Sequence, residues 1–128
     1  MSSLELAEQM EERFLDFAGR ICAVVEALPD TKTGRHISGQ LIRCGTSPAP
    51  NYAEACAAES RADFTHKLGI VLKELRETRI WLKLVVKTGS MKKSKLEALI
   101  GECSELMNII GASIVTTKAN TPPKNRRR

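Results

Sequence analysis

Five cations recur in the second half of the chain at steps of three and four residues: Lys73, Arg76, Arg79, Lys83 and Lys87. At about 100° per residue they fall in one sector of a helix, beside its apolar stripe. Cations in such a ladder can meet successive phosphates of RNA or DNA. The alternative is a solvated face braced by Glu74 and Glu77 through helical-neighbour pairs. No stacking aromatics interleave with the charges, which argues against recognition of unpaired bases. A second cationic group, Lys124, Arg126, Arg127 and Arg128, stands near the end of the sequence without an acid. It suits salt-sensitive attraction to nucleic acid and a merely solubilising tail equally well.

Groups for bond-making chemistry are scarce. A di-iron site in a helical bundle takes a Glu from each of two helices and Glu-x-x-His from each of the others. Only Asp63-x-x-His66 approximates that motif, at the start of a helix, and His36 has Thr33 three residues before it rather than an acid. Cys22, Cys44, Cys56 and Cys103 include no C-x-x-C pair, so zinc lacks its ligands. Cys56 and His66 are a conceivable nucleophile and base, with an ordinary reduced thiol as the simpler reading. The expectation is a protein without catalytic residues, metal or cofactor.

The elements that position these residues follow from composition and period. With 42% hydrophobic and only 4% aromatic residues, the interior must be aliphatic, which favours packed helices over a β-sandwich. A chain of 128 residues makes one domain with a core of useful size. Apolar residues at Met10, Phe14, Phe17, Ile21, Val24, Val25 and Leu28 predict a first helix over about 4–28, stopped by Pro29. A second is predicted over about 34–58, with Ile37, Leu41 and Cys44 inward. Pro48 and Pro50 must kink it, because each removes a backbone donor and clashes with the preceding turn. Arg43, Asn51 and Glu54 flank that kink. Asn51 or Arg43 is suited to satisfy freed backbone groups, and Glu54 to pair with Arg43 inside the bundle.

Ser60 caps a third helix reaching about Thr88, with Phe64, Leu68, Val71, Leu72, Leu75, Leu82 and Val86 inward. Gly89 and Ser90 separate it from a fourth, about Met91 to Thr117. The third helix also bears Ile80 and Leu84 nearly opposite its core stripe, with Ile70 and Trp81 near in angle. Two apolar faces on one helix predict a subunit interface; scattered surface hydrophobes are the alternative. The fold class expected is all-α: an antiparallel up-down four-helix bundle over 1–118, with a basic tail over 119–128.

The net charge of +5 belongs to residues 118–128. Lys118, Lys124, Arg126, Arg127 and Arg128 account for five of twenty bases, leaving fifteen against fifteen acids. No apolar run approaches the roughly 20 residues needed to span a bilayer, and the first residues do not resemble a signal peptide. With scattered thiols, these features predict a cytoplasmic protein with no membrane partner.

The stretch Gly39–Glu54, in which Gln40, Leu41, Arg43, Ser47, Asn51, Ala53 and Glu54 recur in pattern, resembles the bacterial four-helix bundle proteins once called S23 ribosomal proteins. Members are often encoded in intervening sequences of the large-subunit ribosomal RNA gene. The resemblance continues through Glu59–Phe64 and Leu72–Thr78, and more weakly through Phe17–Pro29 and the fourth helix. Ala55 stands where some members have Gly, and Phe14 and Phe17 where many have a Trp-containing first helix. The resemblance implies a homo-oligomeric ring, commonly a pentamer. A related accessory protein of diversity-generating retroelements is similarly pentameric and binds nucleic acid and a reverse transcriptase, which makes RNA, DNA or such an enzyme an expected partner. The two expectations are therefore an oligomeric nucleic-acid-binding accessory factor and a scaffold without nucleic-acid binding.

Overall fold

The computed structural model describes residues 1–120 and consists there of helices alone: α1 (Ser3–Ala27), α2 (Lys32–Thr46), α3 (Pro48–Cys56), α4 (Arg61–Lys87) and α5 (Lys93–Asn120). Because α2 and α3 meet at the single residue Ser47, they form one bent rod, and the five segments make an antiparallel four-helix bundle. The basic residues Lys124, Arg126, Arg127 and Arg128 lie outside the described residues. The last helix runs to Asn120, two residues past the domain limit expected at 118.

Helices α1, α2 and α4 each start where a side chain meets orphan backbone donors. Ser2 Oγ accepts from the Glu5 amide and Glu5 Oε1 from the Ser2 amide, both at 3.1 Å, a reciprocal capping box. Thr31 Oγ1 accepts from Gly34 N at 3.0 Å, and Ser60 Oγ from Asp63 N at 3.0 Å. The end of α4 is equally defined. Gly89, at φ +72°, lets Gly89 N donate to Val86 O and Ser90 N to Val85 O, which closes the last turn and reverses the chain into α5.

The bend at Ser47 follows from the prolines. Pro48 and Pro50 cannot donate to Cys44 O and Thr46 O, yet Ser47 keeps helical angles and Asn51 N still reaches Ser47 O at 3.2 Å. Asn51 Nδ2 also donates to Ser47 O at 3.0 Å and to Ser47 Oγ at 2.9 Å. The side chain thus cinches the joint without reaching the two carbonyls that the prolines leave unpaired. Glu54 does not meet Arg43, as expected from sequence; it accepts from Lys67 of α4 at 2.8 Å, while Arg43 reaches Glu74 and Glu77. Both side chains reach α4, but they stand eleven residues apart along the rod, so each meets its own partner there.

The core is aliphatic. Phe14, Phe17, Ile21, Ile37, Leu41, Leu75, Leu82, Leu106 and Ile110 are buried, each worth about 1.5–3 kcal/mol relative to exposure. On α4 the inward stripe is Leu68, Val71, Leu75, Thr78, Leu82 and Val85. Val85, not Val86, closes it, and Phe64 and Leu72 sit half-buried at its edges. Thr78, a polar residue, belongs to this stripe as well. Its Oγ1 donates to Glu74 O at 2.7 Å, so the polar group is satisfied inside its own helix and the methyl packs.

Around the core, α4 packs against α2, α3 and α5, and α1 against α2 and α3, while α1 and α5 touch little and α1 and α4 lie diagonally with no close approach. A charged clamp spans the thin α1–α5 seam. Arg13 Nε and Nη2 donate to the two carboxylate oxygens of Glu102 at 2.7 and 2.8 Å, and Nη2 lies 3.0 Å from Glu105 Oε1. That pairing holds the Glu102 carboxyl below its ordinary pKa. The helix α5 is 28 residues long and, over an 18-residue window with mean hydropathy 1.4, long and apolar enough to cross a membrane. Here six of its side chains, from Leu96 to Ile110, enter the core.

Two predictions follow from this packing. A Cβ on Gly45 would lie 2.6 Å from Ile21 Cγ2, whereas one on Gly19 meets nothing within 4 Å. Gly45→Ala should therefore lose about 1–3 kcal/mol of stability in denaturant unfolding, and Gly19→Ala should gain about 0.5–1 kcal/mol from its better helix propensity. Glu102→Gln should lose about 1 kcal/mol near neutral pH. Because the folded pKa of Glu102 is depressed, that difference should be full above the ordinary carboxylate value of about 4.3. It should close as pH falls through the lowered one, which melting curves at several pH values would read.

Candidate functional site

Burying one stripe of α4 decides what its opposite side presents. Lys73, Arg76, Lys83 and Lys87 are exposed, and among the described residues none of them forms an ion pair. The acids expected to brace them face elsewhere. Glu74 and Glu77 turn toward α2, where Arg43 Nη1 approaches Glu74 Oε2 at 3.4 Å and Arg43 Nη2 pairs with Glu77 Oε2. The neutralised-face reading of the ladder therefore loses its counter-charges.

Arg79 leaves the open stripe. It lies at the edge of the core sector and bends onto α5, where its Nη1 donates to Ser104 Oγ at 3.1 Å while its buried Nε has no partner. Five cations in sequence become four on the surface.

The four apolar candidates also separate. Ile80 is 62% exposed and Leu84 37%, and both stand among the free cations. Trp81 is half-buried on the α2 side, edge-on to His36 with ring centroids 5.7 Å apart and its Nε1 3.5 Å from Glu77 Oε2. Ile70 is half-buried. Only Ile80 and Leu84 remain available to a partner.

At the upper end of α4 the stripe opens into a groove of about 520 Å³ against the start of α5, lined by Lys83, Val86, Lys87, Lys93, Glu97 and Ile100. Three lysines and one acid, Glu97, thus share its lining with the apolar Val86 and Ile100. Lys93 was missed because it belongs to a different helix from the ladder. Its signal was present in Met91-Lys92-Lys93-Ser94-Lys95, which an antiparallel hairpin must fold back beside Lys87. Such a groove can hold the phosphates of an extended polyanion and shelter its less polar parts.

The four cysteines differ in their surroundings. Cys44 and Cys103 are buried, Cys22 is half-buried and Cys56 exposed, and all four are free. Burial pushes the Cys103 thiol up to about 12 and raises that of Cys44, so neither is a ready thiolate. Cys103 Sγ donates to Leu75 O at 3.2 Å, tying α5 to α4. Among the described residues no group of three or more His, Cys, Asp or Glu side chains is placed to hold a metal ion.

Comparison with known proteins places this bundle among relatives. Residues 8–112 match the model of the 23S rRNA-intervening sequence protein family. A crystal structure of a protein of unknown function from the S23 ribosomal protein family of Bacteroides thetaiotaomicron is similar, with 35% identity and a TM-score of 0.76. The similarity covers 81% of this chain and 96% of that one. No curated protein matches.

The thiol environments make a measurable prediction. A thiol reagent at neutral pH should modify Cys56 first and Cys22 more slowly. Cys44 and Cys103 should react only as the protein unfolds, with mass spectrometry of peptides giving the order. Rapid modification of Cys103 in folded protein would contradict its placement.

Proposed function

Because the chain belongs to the 23S rRNA-intervening sequence protein family, we propose that it is a non-enzymatic, homo-oligomeric RNA-binding accessory protein of the cytoplasm. The observation that carries this reading is the convergence of unpaired Lys83 and Lys87 with Lys93 on one open groove at the α4–α5 end. Three cations within reach of one strand neutralise successive phosphates, and binding gains from the counterions they release. The family takes its name from the intervening sequences of 23S ribosomal RNA, which supports RNA as the first polyanion to test. A ring, commonly of five subunits as the resemblance implies, would multiply a modest site by avidity.

What supports a non-enzymatic role is where the candidate groups are. Cys56 and His66, the pair the sequence offers as nucleophile and base, are both exposed, and the two buried thiols sit in surroundings that disfavour the thiolate. A scaffold without nucleic-acid contact is the second reading, favoured by Ile80, whose 62% exposure in the middle of the stripe suits a protein partner.

The test is titration of labelled structured RNA at two salt concentrations against the protein and its Lys83→Ala/Lys87→Ala/Lys93→Ala variant. Binding should weaken steeply with salt, and the variant should lose affinity with a salt slope shallower by about 2–3, one phosphate contact per lysine. No binding at low salt, or equal binding by the variant, would refute the groove.

A further inference from the structure

The two helices that stand diagonally across the bundle carry opposite charge. Helix α1 has six acids against Arg13 and Arg20, a net −4, and α4 has seven bases against Asp63, Glu74 and Glu77, a net +4. Because α1 and α4 make no close approach within the bundle, neither charge compensates the other inside one molecule. Their outward faces point away from each other on opposite sides of the core.

Each of those faces also exposes large apolar side chains. On α1, Leu4 is 69% and Leu15 49% exposed, beside Glu8 and Glu12. On α4, Ile80 and Leu84 stand beside Lys73 and Arg76. Leu4 and Leu15, like Lys73 and Leu84, stand eleven residues apart, about 16 Å of helix at 1.5 Å per residue. The α1 face is furrowed by a shallow groove lined by Glu5, Glu8, Gln9, Glu12, Arg13 and Asp16, while Ile80 projects from α4. Length, charge and shape are complementary between two different faces of the same chain.

We infer that the acidic α1 face of one molecule docks on the basic α4 face, around Lys73, Arg76, Ile80 and Leu84, of a second copy. A contact between unlike faces leaves each molecule with one free face of each kind. Assembly therefore runs head to tail and ends in a closed ring or an open filament, never at a symmetric dimer. Lys83 and Lys87 border this face and also line the groove, whereas Lys93 belongs to α5. The inference rests on the homo-oligomeric part of the function proposed above and not on RNA: Lys93→Ala alters the groove and leaves the docking face unchanged, so the two fail separately.

Charge exchange tests it. Sedimentation at low salt should give the protein a mass well above twice the 14.1 kDa of one chain, falling as salt screens the contact. Glu8→Lys/Glu12→Lys and Lys73→Glu/Arg76→Glu, all at exposed positions, should each sediment as monomers with an unchanged helical circular dichroism spectrum. An equimolar mixture of the two should assemble again, because each supplies the charge the other has lost. Ile80→Asp should also dissociate the assembly. A wild-type monomer, a dimer that grows no further, charge-reversed variants that remain assembled, or a mixture that stays monomeric would each overturn the inference.

Discussion

Helix α4 is held by the bent rod of α2 and α3 on one flank and by α5 on the other, and the six residues of its inner stripe are fully buried. A helix so enclosed has no rotational freedom: turning it by one residue, about 100°, would bring charged side chains into an aliphatic interior. That constraint sets the outward phase of Lys73, Arg76, Ile80, Lys83, Leu84 and Lys87. It also places Glu74 and Glu77 on the flank that meets α2, where Arg43 takes them up, and Arg79 on the flank that meets α5. The free cations of the outer face follow from the packing of the inner one.

The bent rod makes that enclosure possible. Pro48 and Pro50 interrupt the hydrogen-bond ladder, and the bend brings buried Pro48, Ala49 and Ala55 into the bundle and Tyr52 against Phe14, with ring centroids 5.1 Å apart. Gly45, just before the bend, lets the α2 backbone approach Ile21 of α1 more closely than any side chain would permit. The opposite seam, between α1 and α5, is bridged by Arg13 with Glu102 and Glu105 instead of by a dense apolar contact. The bundle is thus tightest around α4 and most polar across the diagonal from the bend.

This asymmetry gives the molecule its functional character. Acids gather on α1, bases on α4, and a lysine-rimmed groove forms where α4 turns into α5 at Gly89. Charges held apart on a rigid bundle favour partners of matching charge. In the readings proposed above, a second copy is one such partner and a phosphate backbone another. The exposed apolar residues Ile80 and Leu84 distinguish the two surfaces, because a phosphate chain has no use for them whereas a protein face does.

The sequence by itself determined the all-α class, the caps at Ser60 and Gly89, the bend at Pro48–Pro50 and the cationic period of the ladder. These are local properties: period, missing donors and permitted φ angles act over a few residues. Tertiary structure decided which ladder member leaves the surface and which acids face it. It also placed Glu54 on Lys67 rather than Arg43, and brought Lys93 beside Lys87. The burial of Thr78 shows the same division, since its hydroxyl reads as polar along the chain until its own helix supplies the Glu74 carbonyl. Which side of a helix meets a neighbour, and which neighbour, depends on contacts between residues far apart in the chain, and helical period carries no record of them.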